Sequence, residues 1–376
     1  MKREIKFNSF YSSDNYTKNL EKLFADYELF RQKYFSNQCI ALLKDDYPDS
    51  EILLTHSATG ALEMIALALD IQEGDEIILP SYTFVSTANA FALRGAKLIF
   101  VDIEMETLGI DPELVQKAIT NKTKAIVCVH YAGQACNIGS LRKIADDHEL
   151  LLIEDAAMAF GSKHKGQSLG SFGDYSVVSF DITKHLSATQ GGLLIINKPS
   201  NRKKALQIYH TGTNRAAFEH GDVPYYEWVV LGSKYQMPET NAAILQVQLA
   251  DCEAILSHQK MLSWNYFQNL KGLSSLGIKL TPETNLENNY HEFYIICRSL
   301  DERKSLRTFL NANGVEAIFH YIPLHSSHFG VQFEALMPEN NTTSISSRLL
   351  RLPIHSGMNI EDVNYTCSLI LNFFKA

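Results

Sequence analysis

Between residues 52 and about 200 the chain repeats one pattern: a short, nearly unbroken apolar run, then a stretch with helical spacing. The apolar runs are Ile52–Leu54, Glu76–Pro80, Ala96–Asp102, Lys124–His130, Leu150–Asp155, Tyr175–Phe180 and Gly192–Asn197. Thr59–Leu69 has helical spacing, with Leu62, Ile65, Ala66 and Leu69 on one face, and Pro112–Ile119 and Ser140–His148 read as further helices. A strand with one wet face alternates apolar and polar residues. These runs do not, so both faces are buried, which predicts an α/β fold with a mainly parallel sheet flanked by helices.

The pattern changes near residue 250. Thr240 to about Leu270 reads as one long connecting helix. His291–Cys297 reads as a strand, Glu302–Asn313 as a helix stopped by Gly314, and Val315–His320 as another strand. A chain of 376 residues exceeds what one core usually supports. The expected division is a large domain, residues 1–250, and a smaller C-terminal α+β domain, residues 251–376.

A net charge of −8 gives no basic footprint for nucleic acid, and an anionic substrate would need a local pocket of donors. The six cysteines, at 39, 128, 136, 252, 297 and 367, form no C-x-x-C pair, so buried free thiols are expected and no metal site. The first residues lack the apolar core of a signal peptide, and no apolar stretch approaches 18 residues. A reduced cytoplasmic setting without membrane attachment is the expectation. No G-x-G-x-x-G follows the first strand, which disfavours a nicotinamide dehydrogenase.

Two segments carry the chemistry. Leu151–Asp155 puts a carboxylate at the end of an apolar run, and Ser179–Lys184 puts a lysine just past the end of the next. An acid that holds a proton on a ring nitrogen, with a lysine that attaches to an aldehyde, is the minimum equipment for pyridoxal phosphate chemistry. Each part has a plainer alternative. Asp155 could simply cap a helix, since Ala156 and Ala157 follow, and Lys184 could be a solvated surface lysine. Ser57, Ala58 and Thr59 open a helix after Ile52–Leu54, where free amides and the helix dipole favour an anion; an ordinary N-cap by Ser57 or Thr59 explains them as well. Phe84, past another strand end, could stack on a flat ring or pack in the core. Gly191-Gly192 allows close backbone approach. Gly212–Arg215 and His320–His325 are polar segments without a decisive reading of their own; the two histidines of the latter, separated by a proline, are weak as metal ligands.

Taken as a set, several segments resemble the DegT/StrS-type family of pyridoxal-phosphate-dependent nucleotide-sugar aminotransferases. They are Pro80–Phe91, Leu93–Lys97, Val129–Gly133, Glu154–Ala157, Gly212–Arg215, Phe319–His325 and Arg348–Pro353. Within the family the likeness is nearest to enzymes that make dTDP-4-amino-4,6-dideoxygalactose. The resemblance implies an aspartate-aminotransferase-like fold (fold type I) and pyridoxal 5'-phosphate as cofactor. It implies transfer of an amino group from L-glutamate to the 4-keto group of a dTDP-4-dehydro-6-deoxyhexose, for surface polysaccharide synthesis.

Roles follow residue by residue. Lys184 matches the cofactor-attaching catalytic lysine and Asp155 the partner of the pyridine nitrogen. Phe84 matches the stacking aromatic, and Ala58, Thr59 and Ser179, with Ser57 beside them, the phosphate cradle. Asn214 matches a residue that reaches the phosphate in the neighbouring subunit, which implies a homodimer with shared active sites. His320, Tyr321 and His325 fall on the substrate side. Met158 stands where the family usually has a glutamine near the cofactor's ring hydroxyl, and Gln190 where close relatives have glutamate. Lys33–Gln38 lacks the relatives' glycine-rich loop. Some relatives replace the lysine with histidine and dehydrate the sugar; here the lysine is in place and His185 follows it, which favours aminotransferase. The alternatives are amination of a 3-keto or UDP-linked sugar, and a catalytically silent cofactor-binding relative.

Overall fold

The structure is a computed structural model that describes residues 3–282 and 287–375. Its strands, in chain order, are β1 (Glu51–Thr55), β2 (Glu76–Pro80), β3 (Lys97–Val101), β4 (Thr123–Val129) and β5 (Leu151–Asp155). A small hairpin of β6 (Lys163–His164) and β7 (Gln167–Ser168) follows, then β8 (Tyr175–Ser179), β9 (Gly192–Ile196), β10 (Lys279–Leu280), β11 (Phe293–Ile296), β12 (Glu334–Leu336) and β13 (Leu349–Leu352).

Eight strands form the main sheet in the order β1-β9-β8-β5-β4-β2-β3-β12. From β12 to β8 every pairing is parallel; β9 runs antiparallel to both β8 and β1. Residues of β2, β8 and β9 are all buried, as the unbroken apolar runs predict. Apolar side chains on one sheet face, such as Ile77, Leu79, Val127 and Ile153, pack with the helix Ala58–Ala68. Those on the other, such as Ile78, Ile126, Cys128 and Leu152, pack with Ile138 and Leu141. This is the mainly parallel, helix-flanked sheet of fold type I.

Two expectations are corrected. The stretch Thr240–Leu270 is two helices, Glu239–Ala250 and Cys252–Leu270, broken at Asp251. The break lets the first half pack on the helix Tyr34–Leu43 and the second on Ile360–Lys375, two different cores. Val315–His320 makes only isolated bridges, Val315 to Ile5 and Ile318 to Arg351, and not a strand. Its side chains alternate correctly, with Val315 and Ala317 buried, but side chains take its backbone groups: Asn311 accepts from Ala317 N, and Arg307 donates to Ala317 O.

A second core gathers around the antiparallel sheet β10-β11-β13. It joins Leu262, Tyr266, Phe293, Leu306, Leu350 and Ile370, and Ile5 of the N-terminal segment packs into it. β12 leaves this region to pair with β3 at the edge of the main sheet. Among the described residues no helix is long and apolar enough to cross a membrane.

Candidate active site

Segments beyond the carboxyl ends of β1, β2, β5 and β8 line one cavity of about 590 Å³. That is where open α/β sheets collect ligands, because connections leave the sheet there and expose helix N-termini. Ser57, Ala58, Thr59, Phe84, Asp155, Met158, Ser179, Lys184, His320 and Tyr321 all border it. Two expected residues do not. His325 lies against Ser81, whose hydroxyl is 2.7 Å from its Nδ1. Asn214 stands just before the short helix Arg215–His220 without a side-chain hydrogen bond to it, and its Oδ1 accepts from Glu227 N at 2.7 Å.

Ser57 caps the helix Ala58–Ala68 by accepting from Gly60 N at 3.0 Å. The cap therefore exists, and it leaves the first amides of the helix facing the cavity without carbonyl partners inside the helix. Gly192 completes this corner: a Cβ there would sit 2.3 Å from Ala58 N. Only glycine lets β9 pass so close to the turn. Thr59 Oγ1 lies 2.7 Å from Ser86 Oγ.

Glu154 and Asp155 are consecutive on β5, so their side chains point to opposite faces. Glu154 is buried against His130 at 2.9 Å and takes the amides of Gly170, Phe172 and Gly173. Asp155 faces the cavity. Its Oδ1 accepts from Ala157 N at 3.1 Å, and its Oδ2 accepts from Thr87 Oγ1 at 2.6 Å. No helix follows Asp155; the chain makes a turn there, so the side chain holds that turn while it faces the cavity, and the expected alternative of a helix cap is not realised. Phe84 is 58% exposed at the cavity mouth, so its ring is free to stack. Met158 is buried, and its carbonyl accepts from Asn289 Nδ2 at 2.7 Å.

Burial holds the Lys184 ammonium below its usual range, with Arg351 adding to the effect and Glu292 and Asp155 opposing it. That favours the neutral, nucleophilic amine. His185 turns away: its Nε2 lies 3.1 Å from the Phe160 carbonyl, and burial lowers its pKa to about 4. The lysine, not the histidine after it, therefore presents the reactive nitrogen to the cavity.

Sequence reasoning gave no role to Thr87, Phe7, Glu292 or Arg351, all of which border the cavity. Thr87 lay inside the quoted run Pro80–Phe91, three positions past Phe84 and so one helical turn along, which is a usable signal. Arg351 lies inside the resembling segment Arg348–Pro353, again a usable signal, whereas Phe7 and Glu292 arrive from distant segments and carry no local pattern. Folding also brings Cys128, His130 and Cys136 within 4.8 Å. Both His130 nitrogens are already engaged, Nδ1 with the Cys136 amide and Nε2 with Glu154.

These parts fit pyridoxal phosphate. The helix start and the close-packed Gly192 suit its phosphate, the Asp155 carboxylate its ring nitrogen, the Phe84 ring its face and Lys184 its aldehyde carbon.

Solved structures share the fold. An aminotransferase, TlmJ, from Streptoalloteichus hindustanus aligns over 99% of both chains at TM-score 0.87 and 23% identity. The aminotransferase PseC of Helicobacter pylori, involved in pseudaminic acid biosynthesis, covers 99% of this chain and 100% of its own at TM-score 0.87 and 22% identity. The uncharacterized protein MJ1066 of Methanocaldococcus jannaschii is 33% identical over 320 residues, 82% of each chain. The sequence profile of the DegT/DnrJ/EryC1/StrS aminotransferase family matches residues 46–371, and the chain belongs to that family.

Proposed function

We propose that the protein moves the amino group of L-glutamate to the 4-keto group of a dTDP-4-dehydro-6-deoxyhexose. The observation that carries this reading is the opening of Lys184, Asp155 and the helix start at Ser57–Thr59 into one cavity. The names of TlmJ and PseC as aminotransferases, and of a sugar aminotransferase from Streptococcus pneumoniae with the same fold, support the class of reaction.

Bound pyridoxal phosphate supplies the carbonyl that receives the amino group and a ring that draws electrons from the substrate carbon. The chain's residues do the rest. Asp155, held by Thr87 and the Ala157 amide, keeps a proton on the ring nitrogen. Lys184 Nζ takes the proton from the donor's α-carbon as general base and later delivers one to carbon 4 of the sugar as general acid. The face that Lys184 serves sets an axial or equatorial amine. His320 and Tyr321, stacked at 4.0 Å between centroids, border the substrate side.

The same proposal includes a homodimer with shared sites. The segment around Asn214 supports it, since Tyr225, Trp228 and Leu231 are 64%, 74% and 58% exposed. Large apolar side chains exposed along one segment suit a protein partner. A cytoplasmic setting and the division into residues 1–250 and 251–376 complete it. Six free cysteines suit a reducing compartment.

The test is incubation with pyridoxal phosphate, L-glutamate and dTDP-4-keto-6-deoxyglucose, with the product read by NMR. A 4-amino sugar is expected. Amination only of 3-keto or UDP-linked sugars would reassign the acceptor.

A further inference from the structure

Glu292 and Arg351 form a buried ion pair in the wall of the cavity. Arg351 Nη2 lies 2.6 Å from Glu292 Oε1, and the two residues are 7% and 1% exposed. The pair is poorly satisfied otherwise. Beyond this ion pair, Glu292 Oε2 and Arg351 Nε make no hydrogen bond among the described residues. Arg351 Nη1 donates to His320 Nε2 at 2.6 Å, and its guanidinium sits 4.8 Å from the centre of the Phe7 ring. Buried polar atoms without partners are uncommon, and here they border a cavity that must admit a ligand.

Among the described residues lining that cavity, Lys184 and Arg351 are the cationic ones. Lys184 is committed to the cofactor. A ligand carboxylate entering the cavity therefore has Arg351 as its counter-charge, and Glu292 already occupies it. A guanidinium cannot compensate two buried carboxylates, and an ionised carboxylate left unpaired in the interior is strongly disfavoured.

We propose that Arg351 is the binding residue for the carboxylate of the amino donor, and that Glu292 is a positioning residue that holds Arg351 until the donor carboxylate displaces it and Glu292 takes up a proton. The inference rests on the reading that an amino acid enters this cavity as donor.

The surroundings of Glu292 suit that exchange. Burial already raises its pKa, against the opposing charges of Arg351 and Lys184. His291 Nε2 and His320 Nδ1 lie 4.0 and 3.9 Å from Glu292 Oε1, and burial depresses both histidines, so they stay neutral. Tyr82, Tyr131, Tyr294 and Tyr321 face the same region with pKa values raised by burial, so they are neutral too. Removing Arg351 from Glu292 leaves it Lys184 alone as a positive neighbour, and the proton then belongs on the carboxylate. The bonds balance simply: one ion pair breaks, another forms, and one proton moves from solvent to Glu292.

The test uses the holoenzyme loaded with pyridoxal phosphate and titrated with glutarate, a dicarboxylate that has no amino group and cannot react. Calorimetry in buffers of different ionisation enthalpy reads the protons exchanged. The wild type should take up about one proton per glutarate and lose affinity about tenfold per pH unit as pH rises between the free and bound pKa values of Glu292. Glu292→Gln should bind with neither proton uptake nor that slope. Arg351→Gln should weaken binding about 100-fold or more, as expected when a bidentate charged contact is lost. The double variant E292Q/R351Q, uncharged at both positions, shows whether that loss is one of binding or of folding; it should fold and still fail to bind.

Wild-type binding without proton uptake, a retained slope in Glu292→Gln, wild-type affinity in the double variant, or no glutarate binding to the wild type would each overturn the inference. Proton-coupled glutarate binding together with no amination of any 4-keto sugar would instead overturn the proposed acceptor and leave this subsite standing.

Discussion

Thr87 Oγ1 donates to Asp155 Oδ2 at 2.6 Å, and Thr83 Oγ1 stands 2.8 Å behind Thr87, so the carboxylate that faces the cavity is backed by a chain of hydroxyls. All three side chains are buried. The helix Val85–Ala92 carries the threonine and β5 carries the aspartate, so this hydrogen bond ties the sheet to the segment that presents Phe84.

Replacing Thr87 with valine keeps the shape and removes the donor. Hydrogen bonds to charged groups contribute about 1.5–3 kcal/mol. Thr87→Val should therefore raise the dissociation constant for pyridoxal phosphate by at least about tenfold, measured by titrating the apo-protein. Unchanged affinity would mean that Ala157 alone orients Asp155.

At Gly192 the close approach of β9 to Ala58 leaves no room for a methyl group. Gly192→Ala should destabilise the fold by about 2 kcal/mol. It should also weaken cofactor binding, because the helix start must shift. Thermal unfolding with and without cofactor separates the two effects.

Much of this architecture is legible in the sequence, for a physical reason. Strands buried on both faces favour apolar residues, so their runs stand out, and Asp155 and Lys184 are conspicuous because one ends such a run and the other follows the end of the next. β12 is not legible. It has three residues, Glu334–Leu336, none fully buried, and only its pairing with β3 makes it a strand. The break at Asp251 is equally silent, since both halves are helical and the turn serves packing against two separate cores. Glu292 and Arg351 meet because β11 and β13 pair antiparallel, with Tyr294 opposite Arg351. A register of that kind follows from the fold and has no local signature. His325 shows the converse: it shares a motif with His320 and Tyr321, yet it lies against Ser81 and does not border the cavity.

The lowered pKa of Lys184 has a kinetic consequence. Only the neutral amine attaches to the cofactor aldehyde, so the loading rate of the apo-protein should rise with pH and level off through a midpoint below the ordinary lysine value of 10.5. Glu292 opposes the lowering, so Glu292→Gln should move the midpoint further down. Stopped-flow absorbance across pH checks both signs. A midpoint that rises in the variant would contradict this electrostatic picture.

A shared site makes a distinctive prediction for mixed subunits. Lys184→Ala and Asn214→Ala should each be strongly impaired alone. Co-expressed, they form heterodimers in which one site carries both defects and the other carries neither. Activity should then return in the purified heterodimer to about half the wild-type value, one intact site of the pair. No recovery would mean that Asn214 acts within its own chain or not at all.

The central claim is that Lys184 moves the protons of an amino transfer. Its most direct measurement is the rate of dTDP-4-keto-6-deoxyglucose amination by Lys184→Ala, loaded with pyridoxal phosphate and supplied with L-glutamate. General acid–base catalysis contributes about 100- to 10,000-fold, so the rate should fall by at least about 100-fold. A variant that aminates the keto sugar at the wild-type rate would contradict the account.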